Sequence, residues 1–294
     1  MSWIRENTLS WFQLMCVQVI KTGHIPRHIA FIMDGNRRYA RKNKVLKEEG
    51  HAKGFDKLAE TLQWCLDLGI PEVTVYAFSI ENFKRTKDEV DALMELARKK
   101  FQRILDEKEK LMEHGVRIRV IGNTTLLPQD VQELIAKAML ITRGNSTTFL
   151  NVAFAYTARD ELVNAVRSIS AGVREGRLSA TDVTESLIDR SLYTGEYSDP
   201  DLVIRTSGEV RFSDFLLWQL SYSCVYFTDV LWPEFSIWHL LAAIFYYQRS
   251  YVDVQGIKKL HKCVAERESE RVSSFVTWLN NTREDELINL GGVC

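Results

Sequence analysis

Three short polar clusters in this 294-residue chain hold the residue types that bind phosphate esters. They are Asp34-Gly35-Asn36-Arg37-Arg38, Ser79-Ile80-Glu81-Asn82-Phe83-Lys84-Arg85 and Arg205-Thr206-Ser207-Gly208-Glu209-Val210-Arg211-Phe212-Ser213. Glycine lets the backbone approach a ligand, amides at a helix start favour anions, and guanidinium groups grip phosphate oxygens in pairs. The expected ligand is a phosphate ester or diphosphate. A lone acid, Asp34, would repel that anion unless a hard divalent cation lay between them. Mg²⁺ is typically held by one or two carboxylates plus substrate phosphates, so Asp34 is read as its ligand. Each residue also has a plainer reading. Asp34 could N-cap a helix beginning near Asn36, single arginines such as Arg37, Arg38 and Arg85 are commonly solvated, and His51 could be a helix-start or core histidine.

Hydrophobic periodicity supplies the elements that would position these clusters. His28 to Met33 is a short apolar strand, Glu49 to Leu68 a helix, and Val73 to Phe78 a β-branched and aromatic strand. One long helix is expected from Lys87 to about His114, ended by Gly115 and about 40 Å long at 1.5 Å per residue. Further strands are expected at Arg117 to Ile121, Thr148 to Phe154, Leu202 to Ile204 and Val225 to Phe227. Helices are expected at Pro128 to Thr142, Arg159 to Val173 and around Ile237 to Gln248, with a polar, peripheral helical region from Lys258 to Arg283. Strands alternating with helices give an α/β fold: a single domain with a mainly parallel six-stranded sheet flanked by helices. In such sheets ligands bind beyond the carboxyl ends of the strands, and each polar cluster follows a strand. That coincidence of three clusters favours binding over the plainer readings.

Hydrophobic residues make up 46% of the chain and charged residues 26%, enough apolar side chain for a core. A net charge of −1 lacks the basic excess of a general nucleic-acid binder, so no nucleic-acid partner is expected. The five cysteines are scattered and contain no Cys-x-x-Cys pair, which reads as a reducing compartment. The longest apolar run is Leu240 to Tyr247, far short of the ~18 residues that cross a bilayer. No secretory signal is expected, and no P-loop or strand-linked G-x-G-x-x-G occurs. Residues 1–23 read as an amphipathic helix, packed on its own domain or lying at a membrane interface. The main domain is expected at 24–250, with a helical extension at 251–294.

The segments His28-Ile-Ala-Phe-Ile-Met-Asp34-Gly-Asn-Arg-Arg-Tyr-Ala, Glu49-Gly-His-Ala-Lys-Gly54, Val75-Tyr-Ala-Phe-Ser-Ile-Glu-Asn-Phe83, Arg205-Thr-Ser-Gly-Glu-Val-Arg211, Phe215-Leu-Leu-Trp-Gln219 and Leu231-Trp-Pro-Glu-Phe235 resemble the motifs of the cis-prenyltransferase family, in family order. The paired-aspartate motifs of trans-prenyltransferases are missing. The resemblance implies a hydrophobic tunnel in the α/β domain and two diphosphate substrates: an allylic one, usually farnesyl diphosphate, and isopentenyl diphosphate. By motif, Asp34 would position Mg²⁺ on the departing diphosphate, which Gly35, Asn36, Arg37, Arg38 and Arg85 would hold. Arg205, Arg211 and Ser213 would hold isopentenyl diphosphate. Ser79 and Asn82 match a polar pair at the reacting centre, and His51 a histidine near the diphosphates.

The sequence departs from the family pattern in two ways. Cys224 stands where many single-component members carry a glutamate, leaving Asp34 the only expected metal ligand. No Arg-x-Gly occurs near Gly291 or Gly292. The resemblance therefore implies a Nogo-B-receptor-like partner subunit that supplies the arginine, with peripheral association at the cytosolic face of the endoplasmic reticulum membrane. The competing functions are a noncatalytic structural subunit and a carrier of polyprenyl diphosphate.

Overall fold

A computed structural model describes residues 9–262 and 269–292, without the side chains of 259–262. The elements in chain order begin with α1 (Trp11–Ile20), β1 (His28–Ile32), α2 (Asn36–Asn43), α3 (Lys47–Leu68), β2 (Glu72–Ser79), α4 (Lys87–Asp106), α5 (Lys108–Glu113) and β3 (Val116–Ile121). They continue with α6 (Gln129–Thr142), β4 (Thr148–Tyr156), α7 (Ala158–Arg174), α8 (Glu185–Ser191), β5 (Leu202–Arg205), β6 (Cys224–Phe227), α9 (Ile237–Lys262) and α10 (Glu270–Gly291).

The six strands form one sheet in the order β3-β4-β2-β1-β5-β6, every pair parallel. Parallel strands covered on both faces must be apolar along their whole length. All five residues of β1 and all four of β5 are buried. One face packs Phe31, Val75, Leu150 and Ile204 against α3, α4 and α9, and the other packs Ala30, Ala153 and Val203 beneath Tyr156 and Phe215. After β1 the chain winds to one side through β2, and later returns to β1's other flank with β5. The crevice at this reversal lies beyond the ends of β2, β1 and β5, the strands that carry the polar clusters.

Two expectations from periodicity are corrected. The long helix from Lys87 to His114 is two, because Glu107 leaves helical geometry (φ −99°, ψ 21°) between α4 and α5. The break lets α5 bury Leu111 beside β3 before Gly115 turns the chain at φ 61°. The region read as peripheral contains α10, which buries Val272, Phe275, Val276 and Leu279 against Ile169, Leu178 and Leu187. That satellite core also takes in α8, a helix sequence reading did not anticipate.

At the amino ends of β2, β3 and β4, a cavity of about 50 Å³ lies among Leu62, Cys65, Ile70, Leu111, Ile118 and Leu150. Between it and the carboxyl ends, the same sheet face is filled by Val75 and Val152 and then by the packed rings of Phe78, Phe101 and Phe154. Where an apolar tunnel was expected from the resemblance, side chains fill this face of the sheet.

Candidate functional site

Asp34 follows β1 directly, and its main chain is locked to the strand beside it. The Asp34 amide donates to Thr206 Oγ1 (3.0 Å), and that hydroxyl lies 2.8 Å from the Asp34 carbonyl. The Trp232 amide donates to the same carbonyl (3.0 Å), while its indole donates to the Gly54 carbonyl (2.7 Å). The Leu231-Trp-Pro-Glu segment is therefore a brace behind the site. The α2 N-cap is Gly35, at φ 109°, with no side-chain cap. This removes the capping reading of Asp34. Its Oδ1 accepts from the Gly35 amide (2.7 Å) and its Oδ2 from Arg205 (3.0 Å), with Arg38 at 3.7 Å.

Arg205 ends β5 with its side chain 3% exposed. Its guanidinium spreads as a fork, one nitrogen to Asp34 and the other to Ser213 Oγ (2.8 Å) and the Arg211 carbonyl. Arg38 donates to Ser207 Oγ and to Glu209 (3.1 Å), and Glu209 also accepts from Arg211. Asp34 and Glu209 thus join the first cluster to the third. The connecting loop is bent tightly, with Ser207, Ser213, Asp214 and Leu216 all at positive φ. Such backbone persists only where its surroundings over-determine it. Here the Ala158 amide binds the Asp214 carbonyl (2.8 Å), Tyr76 donates to the Ser213 carbonyl (3.2 Å), and Phe215 stacks on Tyr76. Gln219 anchors the far end by donating to buried Glu161 (3.0 Å) and Thr194 (2.6 Å), so the Phe-Leu-Leu-Trp-Gln segment positions the loop.

In the second cluster, Ser79 and Asn82 cap each other. The Ser79 amide donates to Asn82 Oδ1 (2.9 Å) and the Glu81 amide to Ser79 Oγ (3.2 Å). This reciprocal cap turns the chain from β2 into α4 and delivers Arg85 to the crevice, where it donates to Glu89 (2.9 Å). Glu89 also lies 3.7 Å from Arg37 and 3.4 Å from Lys47. Neither Glu89 nor Lys47 was singled out from sequence. The i, i+4 spacing of Arg85 and Glu89 was the one available signal.

Asn36 packs on α3 where Gly50 and Gly54 leave room. A Cβ at Gly50 would meet the Asn36 carbonyl at 2.6 Å, and one at Gly54 would collide with the Asn36 side chain. The Asn36 Oδ1 is buried without a partner. His51, one turn away on α3, also buries an unpartnered Nε2. Burial first, then the Arg85 cation, lowers its pKa to about 4. A histidine that is neutral when folded but has an unfolded pKa near 6.5 makes the unfolded chain bind more protons between those values. Stability from His51 is thus present above pH 6.5 and lost as pH falls toward 4. His51→Asn should flatten the acid side of the stability curve, by roughly 1–2 kcal/mol over that window, as read by denaturant titration at several pH values.

Cys224 pairs with Leu202 in the β5–β6 register, three residues before Arg205. That is roughly 10 Å below the polar rim at 3.3 Å per residue, so within this chain the position does not face Asp34. Among the described residues, no group of three or more His, Cys, Asp or Glu side chains converges. An ion at Asp34 would complete its shell with oxygens of diphosphate and water, which fits the habits of Mg²⁺.

Residues 32–254 match the Prenyltransf family, described as "Putative undecaprenyl diphosphate synthase". The chain is 56% identical over 278 residues to the human dehydrodolichyl diphosphate synthase complex subunit DHDDS, covering 94% of this chain and 84% of that one. It is 46% identical over 224 residues to the tritrans,polycis-undecaprenyl-diphosphate synthase (geranylgeranyl-diphosphate specific) of Pyrococcus furiosus, covering 76% of this chain and 84% of that one. Among solved structures, lavandulyl diphosphate synthase from Lavandula x intermedia, determined in complex with dimethylallyl diphosphate, superposes with a TM-score of 0.72. It is 34% identical and covers 76% of this chain and 95% of that chain. All three polar clusters of the crevice fall within the family match, and the chain belongs to the cis-prenyltransferases, a family of polyprenyl diphosphate synthases.

Proposed function

We propose that the chain condenses farnesyl diphosphate with successive isopentenyl diphosphates to give long-chain dehydrodolichyl diphosphate, the precursor of dolichol for protein glycosylation. The observation that carries this reading is a pair of networks, Arg85–Glu89–Arg37 and Arg38–Asp34–Arg205–Ser213, each gathered on a carboxylate and meeting at the neighbouring residues Arg37 and Arg38. Arg38 and Arg85, with Arg37 and the Gly35-Asn36 backbone, hold the allylic diphosphate. Arg205, Arg211 and Ser213 hold isopentenyl diphosphate.

Condensation forms a bond between the isopentenyl alkene carbon and C1 of the allylic chain, breaks the C1–O bond to release pyrophosphate, and loses a proton to leave a cis double bond. Negative charge grows on the departing diphosphate, and the arginines fixed in the crevice stabilise it without having to reorganise. Mg²⁺ on Asp34 would add Lewis-acid stabilisation of the same charge. Ser79 and Asn82 line the reacting centre from the end of β2, and His51, neutral, sits behind the Arg85 cation. The growing chain threads the apolar face toward the cavity beside Cys65, displacing the aromatic rings that close it. Cys65→Leu adds branched carbon there and should shorten the product by one or more isoprene units, as sized by mass spectrometry of extracted polyprenols.

The relative's description as a complex subunit supports a Nogo-B-receptor-like partner that completes the isopentenyl diphosphate site. Membrane association is supported by α1, which has no charged residue and exposes Trp11, Phe12, Leu14, Met15 and Val19. Trp238, Phe245 and Tyr246 of α9 extend the same surface, with Phe12 beside Trp238 at 6.0 Å between ring centroids. No described helix is long and apolar enough to cross a membrane. The surface suits an interfacial position, here on the cytosolic face of the endoplasmic reticulum. The test is incorporation of labelled isopentenyl diphosphate into extractable polyprenol, with farnesyl diphosphate and Mg²⁺, with and without the partner. Long cis products formed with the partner support the reading; no products in either reaction would leave a noncatalytic subunit or a carrier.

A further inference from the structure

Glu89 lies in the first turn of α4 with only 10% of its side chain exposed, whereas its neighbour Asp88 is exposed. Its two oxygens meet cations from three separate places: Arg85 at 2.9 Å from the turn before α4, Arg37 at 3.7 Å from α2, and Lys47 at 3.4 Å from the start of α3. Like charges gathered this closely repel one another, and Arg85 is largely withdrawn from water, at 22% exposure. Burial works against ionising Glu89, yet Arg85, Arg37 and Lys47 outweigh it and hold the carboxyl below its ordinary pKa. The carboxylate cancels one of the three positive charges and leaves an excess of two, directed to where an allylic diphosphate would sit.

We propose that Glu89 is a positioning residue for the allylic diphosphate, fixing Arg37, Arg85 and Lys47 as one preformed anion receptor. This rests on the diphosphate reading of the crevice. Without the carboxylate, the three cations separate into solvent, and binding a diphosphate must first gather them again, a cost that preorganisation removes. The isopentenyl diphosphate groups, Arg205 and Arg211, are held by Asp34 and Glu209 and do not depend on Glu89.

Glu89→Gln should raise the KM for farnesyl diphosphate roughly tenfold and leave the KM for isopentenyl diphosphate within about twofold, since one charge-assisted contact set is lost at one site only. Glu89→Asp, a shorter carboxylate, should recover part of the loss. Calorimetric binding of inorganic pyrophosphate should weaken about tenfold in Glu89→Gln. That readout holds even if the chain alone turns over too slowly to assay, which separates failure of this proposal from failure of the functional reading. An unchanged or tighter pyrophosphate affinity, equal changes in both KM values, or Gln matching Asp in every readout would overturn it.

Discussion

Asp34→Ala is expected to cut turnover by at least about 100-fold while the protein stays folded, because it removes the carboxylate held between Arg38 and Arg205, where the metal would bind. The fold tolerates the change because Asp34 owes its place mainly to backbone. Its amide and carbonyl are held by Thr206 and Trp232, and those bonds survive truncation of the side chain. Arg205 loses one of its acceptors but keeps Ser213 Oγ and the Arg211 carbonyl, so the uncompensated charge left behind is limited. A stability loss of roughly 1–2 kcal/mol is expected by denaturant titration, beside a steady-state rate that drops far more than that loss can explain. Unchanged turnover would remove Asp34 from the chemistry and return it to a purely structural role.

The second large effect is expected at Arg205→Lys, a substitution that keeps the charge and loses the fork. The guanidinium serves Asp34 with one nitrogen while the other reaches Ser213 Oγ and the Arg211 carbonyl, at a position 3% exposed. A single ammonium on a flexible stem cannot span those partners, and at least one acceptor loses its donor. The KM for isopentenyl diphosphate should rise roughly 100-fold, the equivalent of about 2.7 kcal/mol, with a smaller change for farnesyl diphosphate. A stability loss of about 1–3 kcal/mol should accompany it, since the strained Ser213–Leu216 loop loses its tie to β5. Equal loss for both substrates would mean that Arg205 supports the whole crevice and not the isopentenyl diphosphate half.

Much of this was legible in the amino-acid sequence, because parallel strands buried on both faces announce themselves as β-branched runs. The strands from His28, Val73, Arg117, Thr148, Leu202 and Val225 all appear within two residues of their observed starts. The polar clusters after three of them then marked the crevice. What could not be read were relations between elements. Lys47 and Glu89 come together only because α2, α3 and α4 converge, and the capping reading of Asp34 fell only when Gly35 took the cap position. The break at Glu107 carries no glycine or proline, so helical periodicity ran through it. Val272, Phe275, Val276 and Leu279 do follow helical spacing, but their polar setting disguised a face that becomes apolar only against α7 and α8.

A crevice with two cation groups must hold two diphosphates at the same time, and sequential titration shows whether it does. The chain, with its partner subunit, would first be saturated with farnesyl thiolodiphosphate, an unreactive allylic analogue, and then titrated calorimetrically with isopentenyl diphosphate in Mg²⁺. One further equivalent should bind, and Arg205→Lys should weaken that second event roughly 100-fold while sparing the first. Displacement of the analogue by isopentenyl diphosphate would mean a single shared site and would contradict the assignment of the two cation groups.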